Sequence, residues 1–284
     1  MILLNHVFAF LGLLIGSISD LKTREVPDWL NFSLVGVGLG SSLIFSIVSH
    51  DIHPFLWSVL GFGACFLLAM LMYYSGQWGG GDSKMIMGLG ALIGLNISDG
   101  IPLLLIFIIN IIFVGAVYGL FWTFFLALKN FSKVKLAFRE RVSGKLIFVR
   151  RIVLLLCFLG VVLFFFVPNF LKLPVLVVVA LVFLSFYLWI FVKVVEDIAM
   201  VKDVLLEDLT EGDWVLEDVF INNKKICGPA DLGISKGQIQ KLLRLKKAHK
   251  LKHIKIKFGI PFIPSFFIAF LLLVIFGNWL FFFF

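Results

Sequence analysis

An all-α integral membrane protein with about eight transmembrane helices, and a small α/β insert before the last span, is the fold class this sequence predicts. Its composition, the spacing of its apolar runs and the one-sided placement of its cations lead there. Hydrophobic residues fill 61% of the 284 positions and charged residues 15%, and the mean hydropathy is +1.08. A water-soluble domain of this length has too few polar side chains to cover that much apolar surface. The 34 Phe residues fall with Leu, Ile and Val in long runs, so lipid is the expected solvent for most of the chain.

The runs are 2–19, 30–48, 55–74, 85–97, 101–128, 152–170, 175–192 and 260–284. Most reach the roughly 20 residues needed to cross a bilayer. The fourth is short, so it crosses only if other helices cover it; the alternative is a re-entrant segment. It carries Gly88, Gly90 and Gly94, which let neighbouring backbones approach closely. The first run lacks a basic n-region and an A-x-A cleavage site and reads as a retained span. Cys65, Cys157 and Cys227 lack CxxC spacing, which argues against a zinc ribbon or a disulfide framework.

With eight spans, 24 of the 25 Lys and Arg residues fall on one side and only Lys172 on the other. The positive-inside rule makes the crowded side cytoplasmic and puts both termini outside. Losing a span would scatter these cations over both faces, which favours a crossing at 85–97. The net charge of +8 is accounted for by these loops, and no nucleic-acid partner is implied.

Composition changes between 196 and 258, giving expected divisions of 1–195 (membrane domain), 196–258 (cytoplasmic insert) and 259–284 (C-terminal span). In the insert, 214–221 is strand-like, and Asn222-Asn223 before Lys224-Lys225 suggests a turn into a second strand. Ser235 and Gln238 have capping-box spacing, opening a helix with Ile239, Leu242, Leu243 and Leu251 on one face. Ile254-Lys255-Ile256-Lys257 alternates like a strand. So short an insert is expected to lean on the membrane domain or the lipid surface.

Two acidic residues stand at span ends in unusual surroundings. Asp20 follows the first span, at a helix C-terminus where the macrodipole disfavours a carboxylate and no local structural role calls for an anion. Asp82 ends Gly79-Gly80-Gly81-Asp82, just before the fourth span. Span parity puts both at the cytoplasmic face. Two carboxylates in one poorly hydrated site do not both ionise cheaply; one holds a proton, and the pair can activate a water against a peptide carbonyl. A glycine run adds close backbone approach and free N–H groups. Plainer readings are an N-cap for Asp82, an interfacial pair of Asp20 with Lys22 or Arg24, and a flexible turn for the glycines. Asp51 and Asp99 form a second same-face pair, each read as a turn residue.

The strings Asp20-Leu21-Lys22-Thr23-Arg24-Glu25-Val26-Pro27-Asp28 and Gly79-Gly80-Gly81-Asp82-Ser83-Lys84-Met85 resemble the two signatures of the type IV prepilin peptidases. The second is the GxGD motif, and the similarity is greatest to the archaeal prepilin and preflagellin peptidase branch. It covers Gly12 to Leu95, and with less specificity Glu211-Gly212-Asp213 and the stretch from Lys257 to Pro264. The paired CxxC motifs of bacterial members are missing from this sequence, so methyltransferase activity is not expected.

The resemblance implies a membrane aspartic endopeptidase of the plasma membrane, with Asp20 and Asp82 as catalytic dyad and no metal or organic cofactor. Its substrate would be a membrane-inserted prepilin or archaellin precursor with a short basic leader. Gly79, Gly80, Gly81, Lys84, Glu25 and Asp28 are the candidate substrate-binding residues, the last two acidic enough to meet leader cations. Two other readings are a transporter or channel, opposed by the lack of mid-span charges, and a presenilin-type intramembrane protease. The latter places its first Asp inside a span, whereas Asp20 stands at a span end beside Lys22.

Overall fold

The computed structural model describes residues 2–98, 100–144, 146–221, 224–231, 233–247 and 253–277. The chain is a mostly helical, multi-pass membrane protein. Its helices are α1 (Ile2–Thr23), α2 (Asp28–Ser49), α3 (His53–Tyr74), α4 (Gly80–Ile93), α5 (Leu103–Lys129), α6 (Phe131–Ser143), α7 (Ile147–Phe166), α8 (Asn169–Ala199), α9 (Lys236–Lys247) and α10 (Ile263–Phe276). Among the described residues, six are long and apolar enough to cross a membrane: α1, α2, α3, α5, α7 and α8. Their outer faces display Leu, Ile and Phe, as at Leu3, Leu67, Phe121 and Phe166, a surface suited to lipid and not to water.

Two compact units divide the chain. One comprises 1–120 with 203–284, and the other 121–202. In the first unit, α4 is the central element. Its 14 residues reach about 21 Å at helical rise, short of a hydrocarbon core of about 30 Å. Gly94 ends it with φ 72°, and the chain then continues without helix. That irregular backbone is paired, because Leu95 N–H donates to Trp57 O in α3 at 2.8 Å.

Glycines let α4 sit close to its neighbours. A Cβ on Gly90 would lie 2.5 Å from Gly61 O, and one on Gly88 would lie 2.8 Å from Leu34 Cβ. A Cβ on Gly38 would meet the Ala91 backbone at 2.7 Å. Ser58 Oγ of α3 donates to Ala91 O at 2.6 Å, and Asn5 of α1 donates to Leu92 O at 3.0 Å. The core around α4 joins Leu13, Leu30, Leu34, Met85, Ile86 and Leu89 with Phe266 and Phe270 of α10.

The insert has its own core. Strands β1 (Val201–Leu205), β5 (His253–Lys257) and β2 (Trp214–Val215) form a sheet in the order β1-β5-β2, and β3 (Val219–Ile221) pairs with β4 (Lys224–Cys227). The stretch 214–221 is thus two strands, interrupted at Leu216-Glu217-Asp218. Ile254 and Ile256 alternate inward along β5, and Leu206, Val215, Cys227 and Leu242 close over them. Ser235 N–H donates to Gln238 Oε1 at 2.8 Å, the reciprocal bond of the expected capping box. The insert also leans on the helices, since a Cβ on Gly76 would lie 3.3 Å from the Trp214 ring. Asn222, Asn223, Leu251, Asp99, Lys145 and the last seven residues of the expected final span lie outside the described residues.

In the second unit, α6 forms in what the sequence presents as a basic loop, with Val134 and Val142 turned inward and its cations outward. Ala127 of α5 and Phe186, Ile190, Val194 and Val195 of α8 make the rest of that core, while no residue of α7 is buried.

The glycine approach sets a measurable expectation. Gly90→Ala pushes a methyl into the Gly61 carbonyl and Cys65, backbone and buried side chain that do not yield, at a cost of about 1–3 kcal/mol. Gly63→Ala, with open space around its Cβ, leaves stability unchanged or higher by up to about 1 kcal/mol. Thermal melts in detergent compare the two; equal effects would refute the close-approach account.

Candidate active site

The site forms where α1 ends and α4 begins. Two contacts set an antiparallel register between these helices, Asn5 with Leu92 and Gly16 with Met85, and the same register carries Asp20 toward Asp82. A Cβ on Gly16 would fall 2.7 Å from Met85 Cε, so the helices are tightly apposed one turn from the two acids. The carboxylates of Asp20 and Asp82 are near enough for the charge of one to act on the other.

Asp20 lies within the last turn of α1, one helical turn earlier than an apolar run ending at 19 suggests, and is 6% exposed. Its Oδ2 accepts from Ile263 N–H at 2.9 Å, and Phe262, the residue before it, lies beside the same carboxylate. Ile263 is the first residue of α10. Here the sequence expectation needs correction: a structural role does call for an anion at Asp20. The carboxylate sits unfavourably at the end of its own helix but favourably at the N-terminus of α10, where it satisfies a free N–H.

Asp82 is half-buried and is the third residue of α4. Its Oδ2 accepts from Gly79 N–H at 3.1 Å, the N3-to-Ncap half of a capping box. Gly79 has no side chain to return the bond. The N-cap position itself belongs to Gly79, so Asp82 caps from one turn inside the helix.

The two signature strings touch each other. A Cβ on Gly81 would lie 3.3 Å from Val26 Cβ and Cγ2, so the absence of a side chain at 81 leaves room for Val26. Pro27, at φ −60°, ends the connection and starts α2. Lys84 Nζ pairs with Asp28 Oδ1 at 2.5 Å, tying the start of α4 to the start of α2. Gly80 has open space at its Cβ, and Glu25 is exposed, its carbonyl accepting from Ser19 Oγ at 2.8 Å. Asp20, Asp82, the Gly79–Gly81 turn, Lys84, Glu25 and Asp28 therefore belong to one end of one helix cluster.

Residues 7–120 match the type IV leader peptidase family. The matched stretch contains both signature strings, and the resemblance to archaeal preflagellin and prepilin peptidases holds over it. Over 91 residues the chain is 46% identical to a preflagellin peptidase of Methanocaldococcus jannaschii, covering 32% of this chain and 38% of that protein. A preflagellin peptidase of Methanococcus voltae is 37% identical over 91 residues, covering 32% and 39%. The prepilin peptidase EppA of Methanothermobacter thermautotrophicus is 26% identical over 91 residues, covering 32% and 24%. The chain thus spans under two fifths of the length of the curated relatives it matches. No solved structure matches.

Contributions from outside the matched stretch, or without a side chain, are the ones sequence reading misses. The Ile263 donor is a backbone group, and the sequence marks the stretch from Lys257 to Pro264 only by a less specific family resemblance. Gly115 of α5 leaves room for the Phe262 ring, where a Cβ would meet Phe262 Cζ at 2.6 Å. One turn further along, the half-buried Tyr118 feels the charges of both Asp20 and Arg24. No motif marks it.

Ser17 and Ser83 flank the two acids, one on each helix, each 5% exposed. Neither hydroxyl has a hydrogen-bond partner among the described residues. A buried hydroxyl without a partner costs about 1–3 kcal/mol of desolvation. Ser17→Ala and Ser83→Ala therefore leave the melting temperature unchanged or raise it; a clear drop in either would mean the hydroxyl is bonded.

Proposed function

We propose that this chain is a membrane aspartic endopeptidase that removes the short basic leader of a preflagellin (archaellin) or prepilin-like precursor. The observation that supports this is the α1–α4 register, which carries Asp20 and Asp82 to the same end of the two helices, near enough for the charge of one to act on the other. The names of its relatives point to the substrate class.

In this reaction the two carboxylates share one proton. The ionised member takes a proton from a water while the protonated one donates to the scissile carbonyl. Each acid is steadied by a backbone N–H at Oδ2, from Ile263 for Asp20 and from Gly79 for Asp82. Fixed orientation of this kind contributes rate by holding both oxygens on the attacking water. The open face of Gly80 would let an extended precursor backbone come close.

The proposed topology has eight crossings, with 1–195 as membrane catalytic domain, 196–258 as cytoplasmic insert and 259–284 as final span. It places the chain in the plasma membrane, both termini outside and the dyad at the cytoplasmic boundary, supported by the one-sided cations. The short α4 crosses only under cover of α1, α2 and α3. A scissile bond just before a precursor's hydrophobic segment would lie at the same depth.

Asp20→Asn and Asp82→Asn each lower cleavage by about a thousandfold or more, since the dyad works as a unit. The amide oxygen still accepts the backbone N–H, so both variants stay folded. Membranes carrying each variant, mixed with candidate precursors and followed by sequencing of the product's new N-terminus, give the answer. Near-parental turnover in either variant would sink the dyad.

Glu25 and Asp28 stand beside the dyad as partners for leader cations, Asp28 already engaged by Lys84. Charges at such a rim act on encounter and binding more than on chemistry. The Glu25→Gln/Asp28→Asn double variant raises KM for a basic-leader precursor about two- to tenfold, with kcat retained. An unchanged KM removes that assignment.

A further inference from the structure

Arg24 stands four residues after Asp20 in a backbone conformation that an arginine does not choose. Its φ is 59°, in the left-handed region, and its N–H donates to Asp20 O at 2.9 Å. This is the usual cap at the end of an α-helix, and glycine is the residue that adopts it without strain. What distinguishes arginine here is where its side chain goes. Nη1 donates to Gly259 O, and the guanidinium lies 5.5 Å from the centroid of the Phe258 ring.

Those two partners sit just ahead of the donor that holds Asp20. From Gly259 the chain runs through Pro261 to Ile263, whose N–H donates to the Asp20 carboxylate. A closed ring results. It passes from Asp20 through the last turn of α1 to Arg24, across to Gly259, along the chain to Ile263 and back to Asp20 Oδ2. Pro261 fixes one φ in the return segment, and helical hydrogen bonding fixes most of the outward one. The segment from Gly259 to Ile263 is thus tied at both ends, to Arg24 at one and to the Asp20 carboxylate at the other.

We propose that Arg24 is a positioning residue for Asp20, acting through the start of α10. The inference rests on the dyad reading above. It also gives the insert a part in that site: β5 ends at Lys257, and Phe258 packs both on the insert's core and under the Arg24 guanidinium. The insert thus anchors the segment that aims the acid.

The test uses the full chain in liposomes with a cleavable precursor, comparing Arg24→Gly, Arg24→Lys and Asp20→Asn. Glycine relieves the left-handed backbone, so Arg24→Gly is expected to melt no lower than the parent. Its kcat falls about tenfold to a hundredfold, as small misplacements of a reacting group do, while KM stays within about twofold. Arg24→Lys recovers part of that kcat, because an ammonium also donates to a carbonyl and sits over a ring. Parental kcat in Arg24→Gly overturns the proposal. So does a loss confined to KM, which would mean that Arg24 meets the precursor, and so does a lysine variant no better than glycine. If Arg24→Gly fails to fold, Arg24→Gln decides: reduced kcat with KM held supports the ring, and parental kcat refutes it. Asp20→Asn separates the two levels. An active Asp20→Asn removes the dyad and the ring's purpose together, whereas an inactive one beside a fully active Arg24→Gly refutes the ring alone.

Discussion

A helix too short to cross a bilayer unaided is the constraint on which the rest of the first unit depends. The 14 residues of α4 and the irregular backbone after Gly94 need partners for their polar groups, and lipid offers none. Gly61, Gly88 and Gly90 answer by removing the side chains that would hold the backbones apart. Leu95 N–H then reaches Trp57 O, and Ser58 and Asn5 reach the last carbonyls of α4. Enclosure by α1, α2 and α3 follows from hydrogen-bond accounting, and it brings the start of α4 against the end of α1.

That enclosure also explains why two distant strings belong together. Val26 fills the room that Gly81 leaves, and Asp28 pairs with Lys84, so the connection from α1 to α2 is fitted against the first turn of α4. Both acids have structural duties at this junction. Asp82 caps its own helix, and Asp20 caps α10. These duties are compatible with the proposed dyad, because a carboxylate held by one oxygen on a backbone N–H keeps its direction. A cap and a proposed catalytic acid are therefore not exclusive readings of the same residue.

Much of the fold was legible in the sequence because the lipid-facing code is coarse. Runs of apolar residues located α1, α2, α3 and α5 to within about a turn and α7 and α8 to within about two, and Ser235 with Gln238 marked the start of α9. The alternation in β5 was equally plain, as Ile254 and Ile256 point inward. Polar amphipathic pieces were harder. The helix α6 lay hidden among cations, since its inward face rests on few apolar residues, and the strand-like stretch from Trp214 divided in two at Leu216-Glu217-Asp218. Helix ends also shifted, with α1 running past Asp20 to Thr23, because polar residues extend a helix that hydropathy cannot see.

By itself the sequence determined that this is a many-helix membrane protein, and it singled out Asp20, Asp82 and the glycine run between hydrophobic segments. Composition, charge parity and residue spacing are local properties, and they need no knowledge of what packs against what. Only the tertiary structure decided that Asp20 sits at the N-terminus of α10, that Arg24 reaches Gly259, and that α1 and α4 run in the register that carries the two acids toward each other. The donor to Asp20 is a backbone group over 240 positions away in the chain, and a backbone N–H leaves no mark on the amino acid that carries it. Its role exists only once the helices are packed.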